Sequence, residues 1–517
     1  MDRQNTFRIG TGAGFSSDRL EPALDLLRHG QLQAMVFECV GERTLAFGHR
    51  DRRADPDKGY NPLLERRMAA VLPLAQAAGT RIVTNMGVAN PRAAALKTVE
   101  IAAELGLKGL KVAAVTGDEV SHLIGPDSDL MEPGCKLSET GREMLAANAY
   151  LGIDAILPAI EAGADVIITG RVADPSLFLA PIAHYFDWDL ADWPTLGAGT
   201  AVGHLLECAA QVTGGYFADP GYKEVPDLAH VGFPLAEVSA DGGATITKLA
   251  SSGGLVSQRT VKEQLLYEVH DPAAYLTPDV TADFSTATLA DDGGDRVTVD
   301  QAGGGPRPAQ LKVTVAFDGG LLAEAEISYA GAGAAERARM AGDIVAERMA
   351  GQGGRNGAMR IDLIGVSALH ATAIDYPAPD TARDVRLRCA LRASSQEEAE
   401  NLLWEVESLL CCGPAAASLV SSEARRALPI TRRSFPPGSA TNKVGKFKKT
   451  STADGPRFVA SRCPARASGP ISTPIRPTRL VVAILTLAIS SSSNGSVCRV
   501  RGRWSIATSE PCRPCTK

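Results

Sequence analysis

The segment TGRVADPSLF combines a cation and a carboxylate directly after a buried apolar run. Arg171 in this segment can hold a carboxylate or a phosphate through two parallel hydrogen bonds, which makes it a strong candidate for substrate binding. Asp174 stands before Pro175, so it is either the cap of a helix or a group that transfers protons.

Two further sets of side chains have spacings that suit proton transfer. Glu38 and Glu42 in FECVGERTLA are four residues apart, so a helical turn would place both carboxylates on one side and allow their pKa values to separate. A solvated pair is an equal alternative. His204, Glu207 and Cys208 fall at positions i, i+3 and i+4 of one helix face, which suits a general base or a metal site. A buried helix face is the alternative, and no metal is assigned because no further ligand is evident.

A glycine-rich turn precedes these sets near the start of the chain. In GTGAGFSSDR, Gly12 and Gly14 would let backbone N–H groups approach a ligand, and Ser16 can contact it or cap the following helix. The turn is either a phosphate cradle or a plain tight turn, because Phe15 occupies the position where a dinucleotide-binding pattern has its third glycine.

Polar residues also follow two other apolar runs. Asn85 and Asn90 in TNMGVANP offer amides that can hydrogen-bond a substrate carbonyl, although Asn90 can equally cap a helix that begins at Pro91. Asp118 can bind a hydroxyl group, transfer a proton or begin a helix, and the residues around it do not separate these roles.

Alternating apolar runs and amphipathic stretches predict the elements that position these residues. The continuous runs are typical of parallel strands buried on both faces. The predicted strands are Phe7 to Gly10, Ala34 to Val40, Arg81 to Thr84, Lys111 to Val115 and Asp165 to Thr169. The predicted helices are Asp18 to Arg28, Asn61 to Ala78, Pro91 to Leu105, Glu139 to Leu151, Ile153 to Ala162, Pro175 to Tyr185 and Thr200 to Val212. This order predicts a doubly wound α/β domain with a mostly parallel sheet over residues 5–230, whose ligands bind beyond the carboxyl ends of the strands.

The pattern changes near Gly242 to alternating segments separated by turns, which predicts a smaller α+β region over residues 231–412. Its strands are predicted at Ala244 to Leu249, Arg296 to Val299, Gln310 to Phe317, Leu321 to Tyr329, Met359 to Ile364 and Val385 to Leu391, with a helix at Ser395 to Leu410.

The composition changes again near Gly413. Residues 413–517 hold 18 Lys and Arg against 3 Asp and Glu, about +15, whereas the preceding residues hold 35 against 56, about −21. This Ser-, Pro- and Arg-rich tail shows no sustained period and predicts disorder, or a product of a shifted reading frame. Its Cys512 and Cys515 supply at most half of a tetrahedral zinc site.

Several function classes lack their signatures. The first residues do not resemble a secretory signal. The longest apolar run is about ten residues, half of what a membrane-spanning helix needs. We therefore expect a cytoplasmic protein without membrane contact. The net charge of −6 argues against nucleic acid as a partner, and the basic tail lacks interleaved aromatic residues. The sequence has no nucleophile elbow, phosphate-binding loop or zinc-protease motif, and it assigns no cofactor.

Six segments, taken in order, resemble the acyclic terpene utilization (AtuA) family. They are GFSSDR, FECVGERTLA, TNMGVANP, ITGRVADPSLFLAP, GHLLECAAQVTGGYFADPGYKEVPDL and ITKLASSGGLVSQRTVKEQLLYEVHDPAAYLTPDV. The resemblance runs from about Arg8 to Cys412. Two features depart from it: Val88 and Ala89 stand in a loop that usually carries adjacent glycines, and the usual C-terminal ferredoxin-like domain is not recognisable.

The resemblance implies a catabolic role in the degradation of citronellol- and geraniol-type terpenes. Our hypothesis, which rests partly on this resemblance, is a lyase or hydratase acting on a branched acid or an acyl-CoA, in which Arg171 orients the anion, Glu42 or Asp174 moves protons, and Asn85 and Asn90 bind the carbonyl. The alternative is a non-catalytic subunit or scaffold for an acyl-CoA carboxylase or hydratase of the same pathway. A homo-oligomer is expected in either case.

Overall fold

A computed structural model describes residues 6–131, 134–351, 359–368, 382–426, 430–435, 481–488 and 501–508. They divide into two compact units. The first comprises the described residues of Met1–Gly141, Leu145–Ala316 and Ile430–Lys517, and the second those of Arg142–Met144 and Phe317–Pro429. The fold class is α/β, as predicted.

The first fourteen strands, numbered along the chain, form the central sheet and two small sheets. Their bounds are β1 Thr6–Ala13, β2 Ala34–Phe37, β3 Arg81–Thr84, β4 Lys111–Val115, β5 Met144–Ala149, β6 Val166–Thr169, β7 Pro234–Ser239, β8 Ala244–Lys248, β9 Tyr275–Leu276, β10 Thr281–Asp283, β11 Thr288–Asp291, β12 Val297–Asp300, β13 Gly303–Gly305 and β14 Leu311–Phe317. The central sheet has a parallel middle in the order β1-β2-β3-β6-β4, as the continuous apolar runs predicted. β2 and β6 are buried along their whole length, which is the reason for their apolar composition.

Antiparallel strands extend one edge of this sheet. β7 pairs with β1, and β8, β12 and β11 follow in that order. The change of pattern near Gly242 therefore marks a change from parallel to antiparallel pairing within one sheet, and the long segment of the second unit starts later, at Phe317. The small sheets are β13-β10-β9 and a sheet that contains β14 and β5.

Eight helices accompany these strands in the described part of the first unit. They are α1 Glu21–His29, α2 Glu42–Ala54, α3 Leu64–Ala78, α4 Pro91–Glu104, α5 Ile153–Glu161, α6 Asp174–Phe186, α7 Trp193–Glu207 and α8 Gln258–Leu266. Six of the seven predicted helices are confirmed, with shifted ends. The helix predicted at Glu139 to Leu151 is wrong: its second half contains the strand β5, which pairs within a sheet, and the Tyr150 N–H donates to the Lys312 carbonyl.

The second unit is an antiparallel sheet in the order β16-β17-β15-β18, packed against two helices. Its elements are β15 Leu321–Ala330, α9 Ala334–Gly351, β16 Met359–Ile364, β17 Asp384–Ala393, α10 Gln396–Cys412 and β18 Ala417–Arg426. Tyr329, Leu387 and Val406 are fully buried in its core.

Three more strands lie in the region for which the sequence predicts disorder. β19 Ile430–Phe435 pairs with β14, β20 Val481–Ala488 pairs with the edge strand β4, and β21 Arg501–Thr508 pairs with β20. The intervening residues and the Cys512 and Cys515 pair lie outside the described residues. In the described part of the chain no helix is long and apolar enough to cross a membrane.

Candidate functional site

The carboxyl ends of the parallel strands gather most of the predicted site residues. Glu38 directly follows β2, Asn85 follows β3, and Arg171 comes two residues after β6. The first turn of α6 adds Asp174, and the last turn of α7 adds His204 and Glu207. This is the edge where open α/β sheets bind their ligands.

Arg171 lies in the middle of this cluster and is 4% exposed. Its guanidinium donates to the Val40 carbonyl and forms an ion pair with Asp174 at 2.9 Å. Its Cζ atom lies 3.9 Å from the centroid of the Tyr150 ring, a cation–π contact. Its Nε atom is buried without a hydrogen-bond partner. The Arg171 charge is therefore already compensated inside the protein.

Glu38 is a buried carboxyl group held by amides. Its Oε1 accepts hydrogen bonds from the Val40 N–H at 2.8 Å and from Asn85 Nδ2 at 2.9 Å, and Asn85 Oδ1 accepts from the Cys39 N–H. Burial and the neighbouring Asp174 carboxylate together raise the pKa of Glu38 to about 8, against the opposing effect of Arg171. Glu38 is therefore mostly protonated near neutral pH and can donate a proton. Asn85 therefore orients Glu38 through one N–H of its amide.

Glu42 has the opposite electrostatic environment. It is the first residue of α2, and its Oε1 accepts from the Tyr150 hydroxyl at 2.9 Å and lies 3.8 Å from Lys312 Nζ. Burial alone would raise the pKa of Glu42, but its own backbone N–H and the cations Arg171 and Lys312 lower it to about 2. The pKa values of Glu38 and Glu42 are thus separated, because the two carboxyl groups contact different residues.

His204 and Glu207 form a buried acid–histidine pair. His204 Nδ1 lies 2.7 Å from Glu207 Oε1, and the imidazole stacks on Phe284 with ring centroids 5.4 Å apart. Burial, together with the Asp174 carboxylate, raises the pKa of Glu207 to about 7, against the lowering effect of His204. Gln264 Nε2 donates to the His204 carbonyl. A carboxyl group that orients an imidazole in this way is typical of proton-transfer sites.

Four polar atoms of the cluster are buried without a partner: Arg171 Nε, His204 Nε2, Glu207 Oε2 and Gln264 Oε1. Asp174 Oδ1 lies 2.9 Å from Arg171 Nη1 in the ion pair. Helices α6 and α7 approach closely where they carry Asp174 and His204, because a Cβ atom on the neighbouring Gly203 would lie 2.7 Å from the Pro175 carbonyl oxygen. Buried polar atoms are nearly always satisfied in native proteins, so this concentration indicates a place for ligand or water.

Asp118 hydrogen-bonds the backbone of Arg171. Its Oδ2 accepts from the Arg171 backbone N–H and from Asn148 Nδ2, both at 2.8 Å. Asn148 Oδ1 in turn lies 2.7 Å from His49 Nε2. Burial raises the pKa of Asp118 and lowers that of His49 to about 4. This chain of contacts fixes the backbone at Arg171, so Asp118 is placed to position Arg171.

The remaining predicted residues have packing or capping contacts. A Cβ atom on Gly12 would lie 2.5 Å from the Phe37 ring, and one on Gly14 would lie 2.5 Å from the Cys208 carbonyl carbon. Ser16 Oγ accepts from Asn61, and Asn90 caps α4 through the Ala93 N–H. The Asn90 amide also donates to two backbone carbonyls, those of Pro56 and Lys58. The glycine turn thus serves the contact between β1 and the end of α7.

Tyr150, Lys312, Gln264, Asn148 and His49 belong to the site but were not predicted. Tyr150 contacts Glu42 across 108 positions of sequence, and Gln264 contacts His204 across 60. Contacts between residues so far apart in the sequence leave no local sequence pattern. Tyr150 could have been found only if the Glu139 to Leu151 segment had been assigned as a strand.

A separate surface cavity of about 400 Å³ lies away from the cluster. It is lined by Arg19, Asp25, Asp227, His230, Phe233 and Ser252 among others. His230 Nδ1 lies 2.6 Å from Asp227 Oδ1, the same spacing along the chain as His204 and Glu207, but both side chains are exposed. The exposed Asp227–His230 pair therefore serves as a comparison for the buried His204–Glu207 pair. Among the described residues, no group of three or more His, Cys, Asp or Glu side chains is arranged to hold a metal ion.

A family model described as "Acyclic terpene utilisation family protein AtuA" matches residues 7–444. The chain belongs to this family. Membership implies involvement in acyclic terpene utilisation. A search of curated proteins and a search of solved structures each found no match. The family region extends beyond Gly413 to residue 444, farther than predicted, and it includes β18 and β19.

Proposed function

We propose that this chain is a catabolic enzyme of acyclic terpene or branched-acid degradation that acts on a carboxylate or acyl-CoA intermediate as a lyase or hydratase. The observation that supports this proposal is the buried His204–Glu207 pair, whose outer atoms His204 Nε2 and Glu207 Oε2 have no partner. They lie on helix α7, and the Asp174 carboxylate is close enough to interact with both Glu207 and Glu38, each of which has a raised pKa. Hydration of a conjugated acyl group needs one group that accepts a proton and one that donates it.

In the proposed reaction, water adds across the carbon–carbon double bond of an α,β-unsaturated acyl group. His204 Nε2 accepts a proton from water while the hydroxide oxygen bonds to the β carbon, and Glu207 stabilises the imidazolium. The Glu38 carboxyl group supplies a proton to the α carbon. The proton on His204 then returns to Glu38 through solvent, so the balance is one water added to one double bond. The reverse sequence is dehydration.

The test uses the senecioyl thioester of N-acetylcysteamine as the substrate and follows its conversion to the β-hydroxyisovaleryl thioester. His204→Gln should lower kcat about 10²- to 10⁴-fold, because it removes the group that accepts the proton. His230→Gln in the exposed acid–histidine pair is the matched control and should retain the wild-type rate. No turnover by the wild-type chain, or an unchanged rate in His204→Gln, would contradict the proposal.

A second candidate is a non-catalytic subunit for an acyl-CoA carboxylase or hydratase of the same pathway. The observation that favours it is the internal compensation of Arg171, whose ion pair with Asp174 and contact with Tyr150 also suit a purely structural role. Affinity purification of the chain together with such an enzyme, combined with no conversion of the thioester by the chain alone, would support this candidate over the first.

A further inference from the structure

The charges within the cluster are already paired. The cations Arg171 and Lys312 face the carboxylates of Asp174 and Glu42 respectively. Glu207 shares its environment with His204, and Glu38 lies close enough to Asp174 for the two carboxyl groups to repel each other when both are ionised. A ligand that brings a further negative charge would meet carboxyl groups without a free cation to balance it.

The unpartnered atoms of the cluster favour a ligand that donates hydrogen bonds. Gln264 Oε1 is an acceptor, and Glu207 Oε2 is an acceptor whenever its carboxyl group is ionised. Arg171 Nε is a donor, and His204 Nε2 takes either role with its tautomer. A free carboxylate only accepts hydrogen bonds, whereas a hydroxyl group both donates and accepts.

We infer that the site takes a neutral acyl group that bears a hydroxyl, joined as a thioester, and discriminates against the corresponding free carboxylate. The inference rests on the proposed function and selects between the two substrate classes that it leaves open. Arg171 then acts through its ion pair with Asp174 and does not bind a substrate carboxylate. This differs from the role that the sequence suggests for Arg171.

The experiment compares two matched probes by calorimetry on the full chain. They are the β-hydroxyisovaleryl thioester of N-acetylcysteamine and β-hydroxyisovalerate. The wild-type chain should bind the thioester at least about tenfold more tightly than the acid, a difference of about 1.4 kcal/mol. The methyl ester of the same acid, which lacks both the charge and the thioester sulfur, should resemble the thioester, and a methyl ester that binds as weakly as the acid would overturn the assignment of the preference to charge.

Asp174→Asn removes the carboxylate that compensates Arg171. This variant should bind β-hydroxyisovalerate about tenfold more tightly than wild type, while its affinity for the thioester changes less. Asp154→Asn, an exposed carboxylate in the first turn of α5, is the matched control and should leave both affinities unchanged. The affinities of the wild-type chain for the three probes test the preference for a neutral ligand even if Asp174→Asn does not fold.

Binding of the acid as tightly as the thioester by the wild-type chain would overturn the inference, as would failure to bind any of the three probes. A folded Asp174→Asn variant without gain for the acid would overturn the part assigned to Arg171. These outcomes are distinguishable from failure of the proposed function, because turnover that depends on His204 can persist without the preference, and the preference can persist without turnover.

Discussion

The carboxyl group of Glu38 has contacts that set its proton affinity far from that of an exposed glutamate. Two N–H donors, from Val40 and Asn85, hold one oxygen, while burial and Asp174 disfavour ionisation. The pKa of Glu38 rises from 4.5 to about 8. Folding therefore retains a proton on Glu38 at pH values where the unfolded chain has lost it.

This retained proton predicts a pH dependence of stability. The contribution of a group whose pKa is raised on folding is fully present below 4.5 and is lost as the pH rises to about 8. Over that window the free energy of unfolding should fall by about 1.4 kcal/mol per pH unit for one such proton. Glu38→Gln should reduce the slope, measured by urea denaturation at both ends of the window.

Glu207 has a pKa of about 7, so part of the slope should remain in Glu38→Gln. Glu161→Gln, an exposed residue at the end of α5, should keep the whole wild-type slope. Identical slopes for Glu38→Gln and wild type would mean that Glu38 is not the buried acid described here.

Sequence reasoning could identify part of this site because strand order places certain residues at one edge. Glu38, Asn85 and Arg171 each follow a recognisable buried strand, so their proximity is predictable. Their contacts are not: the amide of Asn85 serves Glu38, and the charge of Arg171 is compensated by Asp174. Such partner choices depend on distances of a few tenths of an ångström, which residue types and spacing do not encode.

At the scale of elements, the contact between β1 and the end of α7 determines where His204 and Glu207 lie. The Thr11 hydroxyl donates to the Leu206 carbonyl at 2.8 Å, and Gly14 allows the backbone at Cys208 to approach. The turn that the sequence presents as a possible phosphate cradle thus positions a helix.

Gly14→Ala should test this role. Its Cβ would lie 2.5 Å from the Cys208 carbonyl carbon and 2.7 Å from the Ala209 nitrogen, both backbone atoms that cannot rotate away. We expect a loss of about 1–3 kcal/mol of stability from overpacking, together with slower turnover because α7 shifts. Gly125→Ala, where no heavy atom lies within 4 Å of the added Cβ, is the control. Equal melting temperatures for the two variants would contradict the assigned contact.

The predictability of elements follows the range of the interactions that form them. β3 and β4 are confirmed at the predicted residues because their continuous apolar runs fit burial on both faces. The helix prediction for Glu139 to Leu151 was wrong because the strand in this segment pairs with β14, which lies more than 150 positions away in the sequence. Helix α2 was not predicted because only four of its residues are buried, so its sequence has a weak helical pattern of apolar residues.

At the scale of the whole molecule, the two compact units have separate hydrophobic cores. The core of the second unit gathers residues of β15, β17, α9 and α10, and Arg388 on β17 contacts Glu324 and Asp362 on the neighbouring strands. The candidate site is built from residues of the first unit alone.

Leu387→Ala should therefore destabilise the second unit selectively. Loss of this fully buried side chain should cost about 2–5 kcal/mol. Hydrogen exchange followed by mass spectrometry should show faster exchange in peptides from β15, β17 and α10, and unchanged exchange in peptides from β2 and β3. Leu410→Ala, which truncates a side chain that is 47% exposed, is the control. Equal acceleration in both units would show that they unfold together.

The central claim is that the buried cluster around His204 and Glu38 moves protons to and from an acyl group. The most direct test is proton NMR of the senecioyl thioester of N-acetylcysteamine in deuterium oxide with the purified chain. We predict a β-hydroxy thioester that carries solvent deuterium at its α carbon, formed by wild type and His230→Gln and lost in His204→Gln. An unchanged thioester without deuterium, in the presence of folded wild-type chain, would contradict the claim.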